Sequence, residues 1–139
     1  MDDPFVGRWI CRSFRNDGEI STRFDDLEFG RAMIEILGGP LVLRGTITGI
    51  GWSLELKGSC EYGTPMRVRF QGVGEVDGSK WVYDYEGWLI PSWPSGVYQK
   101  PVIVGSLIRS VPHPGAEPGS IAVAGVVYSF YAVKIDSTY

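Results

Sequence analysis

MRVRFQGVGEVDGSKWVYDYEGWLI, running from Met66 to Ile90, decides the fold. Met66, Val68 and Phe70 alternate with Arg67 and Arg69. That period of two sends the apolar side chains to one face of a strand and the guanidinium groups to the other. Asp77-Gly78 comes next, a dipeptide suited to the tight turn of a hairpin. A second alternating run returns over about Lys80–Ile90, with Trp81, Tyr83, Tyr85 and Leu89 on one face. Val82, Asp84, Glu86, Trp88 and Ile90 occupy the other. The aromatic face is expected inward, because burying two carboxylates without partners is costly.

Working outward, the same pattern predicts eight strands: about Phe5–Phe14, Phe29–Leu37, Leu41–Ile50, Trp52–Cys60, Met66–Val76, Lys80–Ile90, Gln99–Val111 and Ile121–Ile135. Turn residues separate them, including Gly38-Gly39-Pro40, Gly51 and the longer Pro91–Tyr98 and Pro112–Ser120 stretches. One segment competes. Asp25-Asp26-Leu27-Glu28 resembles a helix start, with Leu27, Arg31 and Ile34 at helical spacing. Gly30, and the alternation of Ala32, Ile34 and Ile36 with Arg31, Met33 and Glu35, favour a strand, with a short helix near residues 24–37 as the alternative. Val and Ile together outnumber Leu and Ala, and 19 Gly and 9 Pro punctuate the chain. The fold class is therefore all-β. Short connections point to an up-and-down antiparallel meander, a single domain over residues 1–139 that closes into an eight-stranded barrel and so removes its edges. A β-sandwich, the other candidate, needs long crossovers that the sequence does not supply.

Composition excludes several roles. A net charge of -3 without a basic run argues against nucleic-acid binding, and no apolar stretch approaches the roughly 18 residues of a membrane-spanning helix. Met1-Asp2-Asp3-Pro4 lacks the basic-then-apolar pattern of a leader, which predicts a cytoplasmic location in which Cys11 and Cys60 stay reduced. Nothing supplies a metal ligand set, and no phosphate, flavin or nicotinamide fingerprint is present, so no cofactor is expected. Any nucleophile–histidine chemistry depends on His113, the single histidine, in Pro112-His113-Pro114-Gly115. The plain alternative for that residue is a solvated turn.

Gly7-Arg8-Trp9, opening the first strand of such a meander, resembles the start of the calycin superfamily of lipocalins, fatty-acid-binding proteins and avidin-like barrels. The resemblance implies that Trp9 packs at a closed barrel end beneath a basic residue of the last strand, where Lys134 matches. It also implies that the long first loop, about Arg15–Glu28, acts as a lid. The chain departs from the lipocalin pattern in having no long helix after the barrel and no disulfide framework. Strand direction gathers the lid and His113 at one end, and Trp93 at the other, either as a plug or in a surface loop.

Three functional readings follow. The first is binding of a small apolar or aromatic molecule inside the barrel, against Trp9, Met66, Phe70, Trp81, Tyr83 and Tyr85. The second is a cofactor-free isomerase, cyclase or lyase. If the register turned Asp84 inward, an isolated carboxyl among Val82, Trp88 and Ile90 would retain a proton for acid/base work, with Glu86 beside it and His113 at the mouth. Arg31 or Arg109 would balance its charge. The plain alternative leaves Asp84 and Glu86 solvated on the outer face. The third reading is a structural module. Strands six to eight are apolar on both faces, and Trp88, Val126 and Phe130, if outward, would bury in a homo-oligomer.

Overall fold

The computed structural model describes residues 3–39 and 42–135. Eight strands close the barrel: β1 (Gly7–Arg15), β2 (Glu28–Gly39), β3 (Val42–Gly49), β4 (Trp52–Glu61), β5 (Arg67–Val76), β6 (Ser79–Leu89), β7 (Val102–Arg109) and, after two short strands, β10 (Val127–Ile135). Every neighbour pairs antiparallel, in the order β1-β10-β7-β6-β5-β4-β3-β2. The two-residue strands β8 (His113–Pro114) and β9 (Ile121–Ala122) pair with each other outside the barrel.

One strand boundary changes. Ile121 does not begin the last barrel strand: Ile121-Ala122 folds back on His113-Pro114, and β10 starts at Val127 after Gly125, whose φ of 90° bends the chain. The helix-start signal produces a single turn, α1 (Phe24–Leu27), and at Glu28 the backbone is already extended. Alternation then holds from Ala32 to Ile36, so the strand wins. The predicted Gly38-Gly39-Pro40 turn and the Leu41 strand start lie partly outside the described residues, at Pro40 and Leu41.

The closed end is built as the resemblance implied. Trp9 is fully buried, and its Nε1–H donates to the Phe5 carbonyl at 3.0 Å. Lys134 Nζ lies 5.6 Å from the Trp9 ring centroid and donates to the Pro4 carbonyl at 3.2 Å. Buried Phe5 fills this end, whereas Trp93 is 74% exposed and plugs nothing. Inward alternation holds in β1, β4 and β5, where Trp9, Cys11, Leu54, Leu56, Val68 and Phe70 are buried, and in β6, apolar on both faces, Tyr83 and Tyr85 are the inward pair. Phe130 is also inside, edge-to-face with Tyr85 at 5.5 Å, and Val126 packs on the core. The outward placement entertained for those two is corrected: in β10 the inward set is Tyr128, Phe130 and Ala132. Gly105 marks where β6 and β7 crowd, since a Cβ there would collide with the Glu86 carbonyl.

Candidate functional site

β2, β4, β6, β7 and β10 all have one end at the rim opposite Trp9, and there the core is not filled. A cavity of about 830 Å³ opens between the start of β2, the start of β6, the end of β7 and the loop that carries His113. Leu54, Leu107, Trp52, Trp81 and Tyr85 supply apolar wall. A polar cluster sits on one side.

Arg109 is its centre. It continues the inward face of β7 after Ile103 and Leu107, so period two carries a guanidinium to the interior, where only 4% of the residue is exposed. Its Nε–H donates to the Tyr83 hydroxyl at 3.0 Å, Nη1 to the Val123 carbonyl at 3.1 Å and Nη2 to the Tyr128 hydroxyl at 3.1 Å. The rings of Phe29, Tyr83 and Tyr128 lie 5.7, 5.8 and 5.6 Å from the guanidinium carbon. All of these partners are neutral. Burial works against the charge, but the bonds to the two hydroxyls outweigh it and hold Arg109 above its ordinary pKa.

Tyr83 links this cation to His113. The tyrosine hydroxyl and His113 Nε2 are 2.6 Å apart, and His113 Nδ1 is 2.9 Å from the Pro114 carbonyl. A carbonyl only accepts, so Nδ1 carries a hydrogen; in the neutral ring Nε2 then accepts from Tyr83. The bonds therefore run in one direction, from Arg109 to Tyr83 to His113 to Pro114. Burial pushes the Tyr83 phenol up, and the Arg109 hydrogen bond partly offsets that. Tyr85, deeper still, is driven well above its ordinary value by burial. Trp81 stacks on His113 with centroids 4.1 Å apart and rings inclined by 17°, which immobilises the imidazole at the mouth. His113 is buried, not a solvated turn.

The sequence-predicted residues separate by depth. Trp81, Tyr83, Tyr85 and His113 line the cavity. Phe70 lies behind it, stacked on Tyr85 at 4.7 Å, and Trp9 and Met66 belong to the core and its closed end. Asp84 and Glu86 face outward. Asp84 accepts from Gln71 at 2.9 Å and from Ser110, and Glu86 pairs with Arg67 at 3.1 Å. The inward register for Asp84 is thus not adopted, because its face alternates with Tyr83 and Tyr85, whose rings fill the interior. Of the lid, only Asp25 and Glu28 reach the cavity rim, where Glu28 is held by Arg12 and Arg31.

Sequence reasoning missed Phe29, Trp52 and Tyr128. Phe29 could not be found by period, because it is the extra residue of a β-bulge: Ser13 pairs with Gly30 and Phe14 with Glu28, leaving Phe29 between them. The bulge aims its ring onto Tyr128, stacked at 3.9 Å. Among the described residues no group of His, Cys, Asp and Glu is arranged to hold a metal. The chain matches no protein-family model, no curated protein and no solved structure.

Proposed function

We propose that this barrel binds a small apolar or aromatic molecule in its open-end cavity. The observation that carries the reading is the cavity itself, about 830 Å³ with an aromatic wall and one convergent polar cluster. Sites for small molecules have this size, roughly 300–1,000 Å³, and this mixture of broad apolar contact with a few orienting groups. Gly30 gives a clean test, since it lines the cavity and a Cβ there meets only Ser13 Oγ, at 3.6 Å. Gly30→Leu fills the site while leaving Arg109, Tyr83 and His113 unaltered. The uncharged fluorophore N-phenyl-1-naphthylamine should bind the wild-type protein saturably and lose about tenfold or more in affinity to Gly30→Leu. Equal binding by both would refute the assignment.

A second reading, a cofactor-free isomerase, cyclase or lyase, is favoured by the 2.6 Å contact between Tyr83 and His113. A phenol between a guanidinium and an imidazole is placed to pass its proton to His113, which would act as acid or base toward a substrate at the mouth. Tyr83→Phe would then lower turnover by about 10²–10⁴ while Asp84→Asn leaves it unchanged. The lean is to the binder, because apolar wall dominates the site.

The calycin-like assignment is supported by the Trp9–Lys134 contact under a closed eight-stranded barrel. Cys11 and Cys60, both thiols, fit a cytoplasmic location. Self-association through β6, β7 and β10 is supported by their outer face. Trp88, Val104 and Tyr131 stand side by side across three strands, and Val102, Val133 and Ile10 form a second row.

A further inference from the structure

Resting on the cavity-binding reading, we propose that the ligand is an organic anion, an aromatic or fused-ring body bearing one acidic oxygen group that Arg109 receives. The ground is a charge without an opposite partner. Arg109 is buried, lines the cavity and takes part in none of the ion pairs formed among the described residues. Its acceptors are two phenol oxygens and one peptide carbonyl, all uncharged. Neutral groups and ring faces keep this ion charged, but they do not neutralise it as an opposite charge would.

The other charges of the cavity are already matched. Glu28 binds Arg31 and lies 3.5 Å from Arg12, and Asp25 acts on Arg31. Asp25, Glu28 and Arg31 form the rim, and Arg12, outside the cavity lining, completes the balance by pairing with Glu28. Among the described residues, that leaves Arg109 as the one unneutralised cation of the interior, beside Trp81, Tyr83 and Leu107. With Nη1 and Nη2 each engaged once, each terminal nitrogen keeps a further N–H. That is the donor pair with which a guanidinium grips a carboxylate or sulfonate. Tyr83 is less free, since it accepts from Arg109 and meets His113. Recognition of the acid therefore falls to Arg109, and recognition of the rings to the aromatic wall.

Two probes isolate the charge. 8-Anilinonaphthalene-1-sulfonate and N-phenyl-1-naphthylamine share one aromatic framework and differ by the sulfonate. On the wild-type protein the sulfonate should bind at least about tenfold more tightly, and 1-naphthoate should displace it where 1-naphthamide does not. Arg109→Gln should bring the two fluorophores to about equal affinity. Because that variant removes a buried network, the naphthoate–naphthamide comparison on unaltered protein decides the matter should it not fold. Equal binding of the fluorophores by the wild-type protein, or equal displacement by acid and amide, would overturn the anion assignment while leaving the cavity a binding site. If Gly30→Leu leaves both fluorophores bound as before, the cavity reading itself is overturned, and this inference with it.

Discussion

Tyr83 joins two buried groups that have few other choices. Its hydroxyl accepts from Arg109 Nε at 3.0 Å and meets His113 Nε2 at 2.6 Å. Phenylalanine there keeps the ring and strands both nitrogens. Tyr83→Phe should cost about 1–3 kcal/mol of stability, seen as a lower urea midpoint at unchanged slope. A loss below about 0.5 kcal/mol, the scale of an ordinary surface change, would mean the network carries no weight. Cys11 gives a pH prediction. Burial raises its thiol from 9.0 to about 12. The folded state therefore keeps a proton that the unfolded chain releases, and stability is complete below pH 9 and falls as pH rises toward about 12. The slope for one group is at most about 1.4 kcal/mol per pH unit, and Tyr83 and Tyr85 add to it in the same sense above pH 10. Cys11→Ala should flatten the decline between pH 9 and 10; an unchanged slope in chemical denaturation would contradict it.

At the scale of elements, β6 and β7 show what alternation reveals and what it hides. The faces of β4 and β5 follow from period two, because one set of side chains is plainly apolar and the other carries Glu55 and Lys57 or Arg67 and Arg69, whereas in β6, apolar on both sides, the cost of burying Asp84 and Glu86 decides. Arg109 obeys the same rule, and the sequence offers it as a balancing charge for Asp84, but its actual partners, Tyr83 and Tyr128, come from other strands and are not legible locally. Phe29 was illegible for a different reason: a bulge breaks the period, and pairing across strands, not local sequence, creates it. The pairing of His113-Pro114 with Ile121-Ala122 likewise depends on where β7 ends, so the apolar pattern extends past the true start of β10. Close packing of β6 on β7 makes its own prediction. Gly105→Val puts a side chain against the Glu86 carbonyl and Gly87, and should destabilise the barrel by about 1–3 kcal/mol in thermal or chemical denaturation. A neutral result would show that the strands separate more easily than their register implies.

The whole molecule has two ends of opposite character and one outer face that is not polar. Trp9, Phe5 and Lys134 close one end, while Trp81, His113 and Arg109 surround an open volume at the other. Outside, Trp88 is 39% and Ile10 50% exposed within the apolar rows of β6, β7, β10 and β1. A stable contact between two copies over that face needs roughly 1,200 Å² in total. Sedimentation at micromolar concentration should show a dimer that Trp88→Ser weakens; a monomer throughout would leave the face solvated.

The same face is the natural competitor of the cavity for any apolar probe, so the decisive measurement is one of position. Intermolecular nuclear Overhauser effects from bound N-phenyl-1-naphthylamine locate it directly. The account predicts cross-peaks to Leu54, Leu107 and the Trp81 indole, all of which line the open-end cavity. Cross-peaks to Trp88, Ile10 and Val133 instead, with none to the cavity wall, would contradict it.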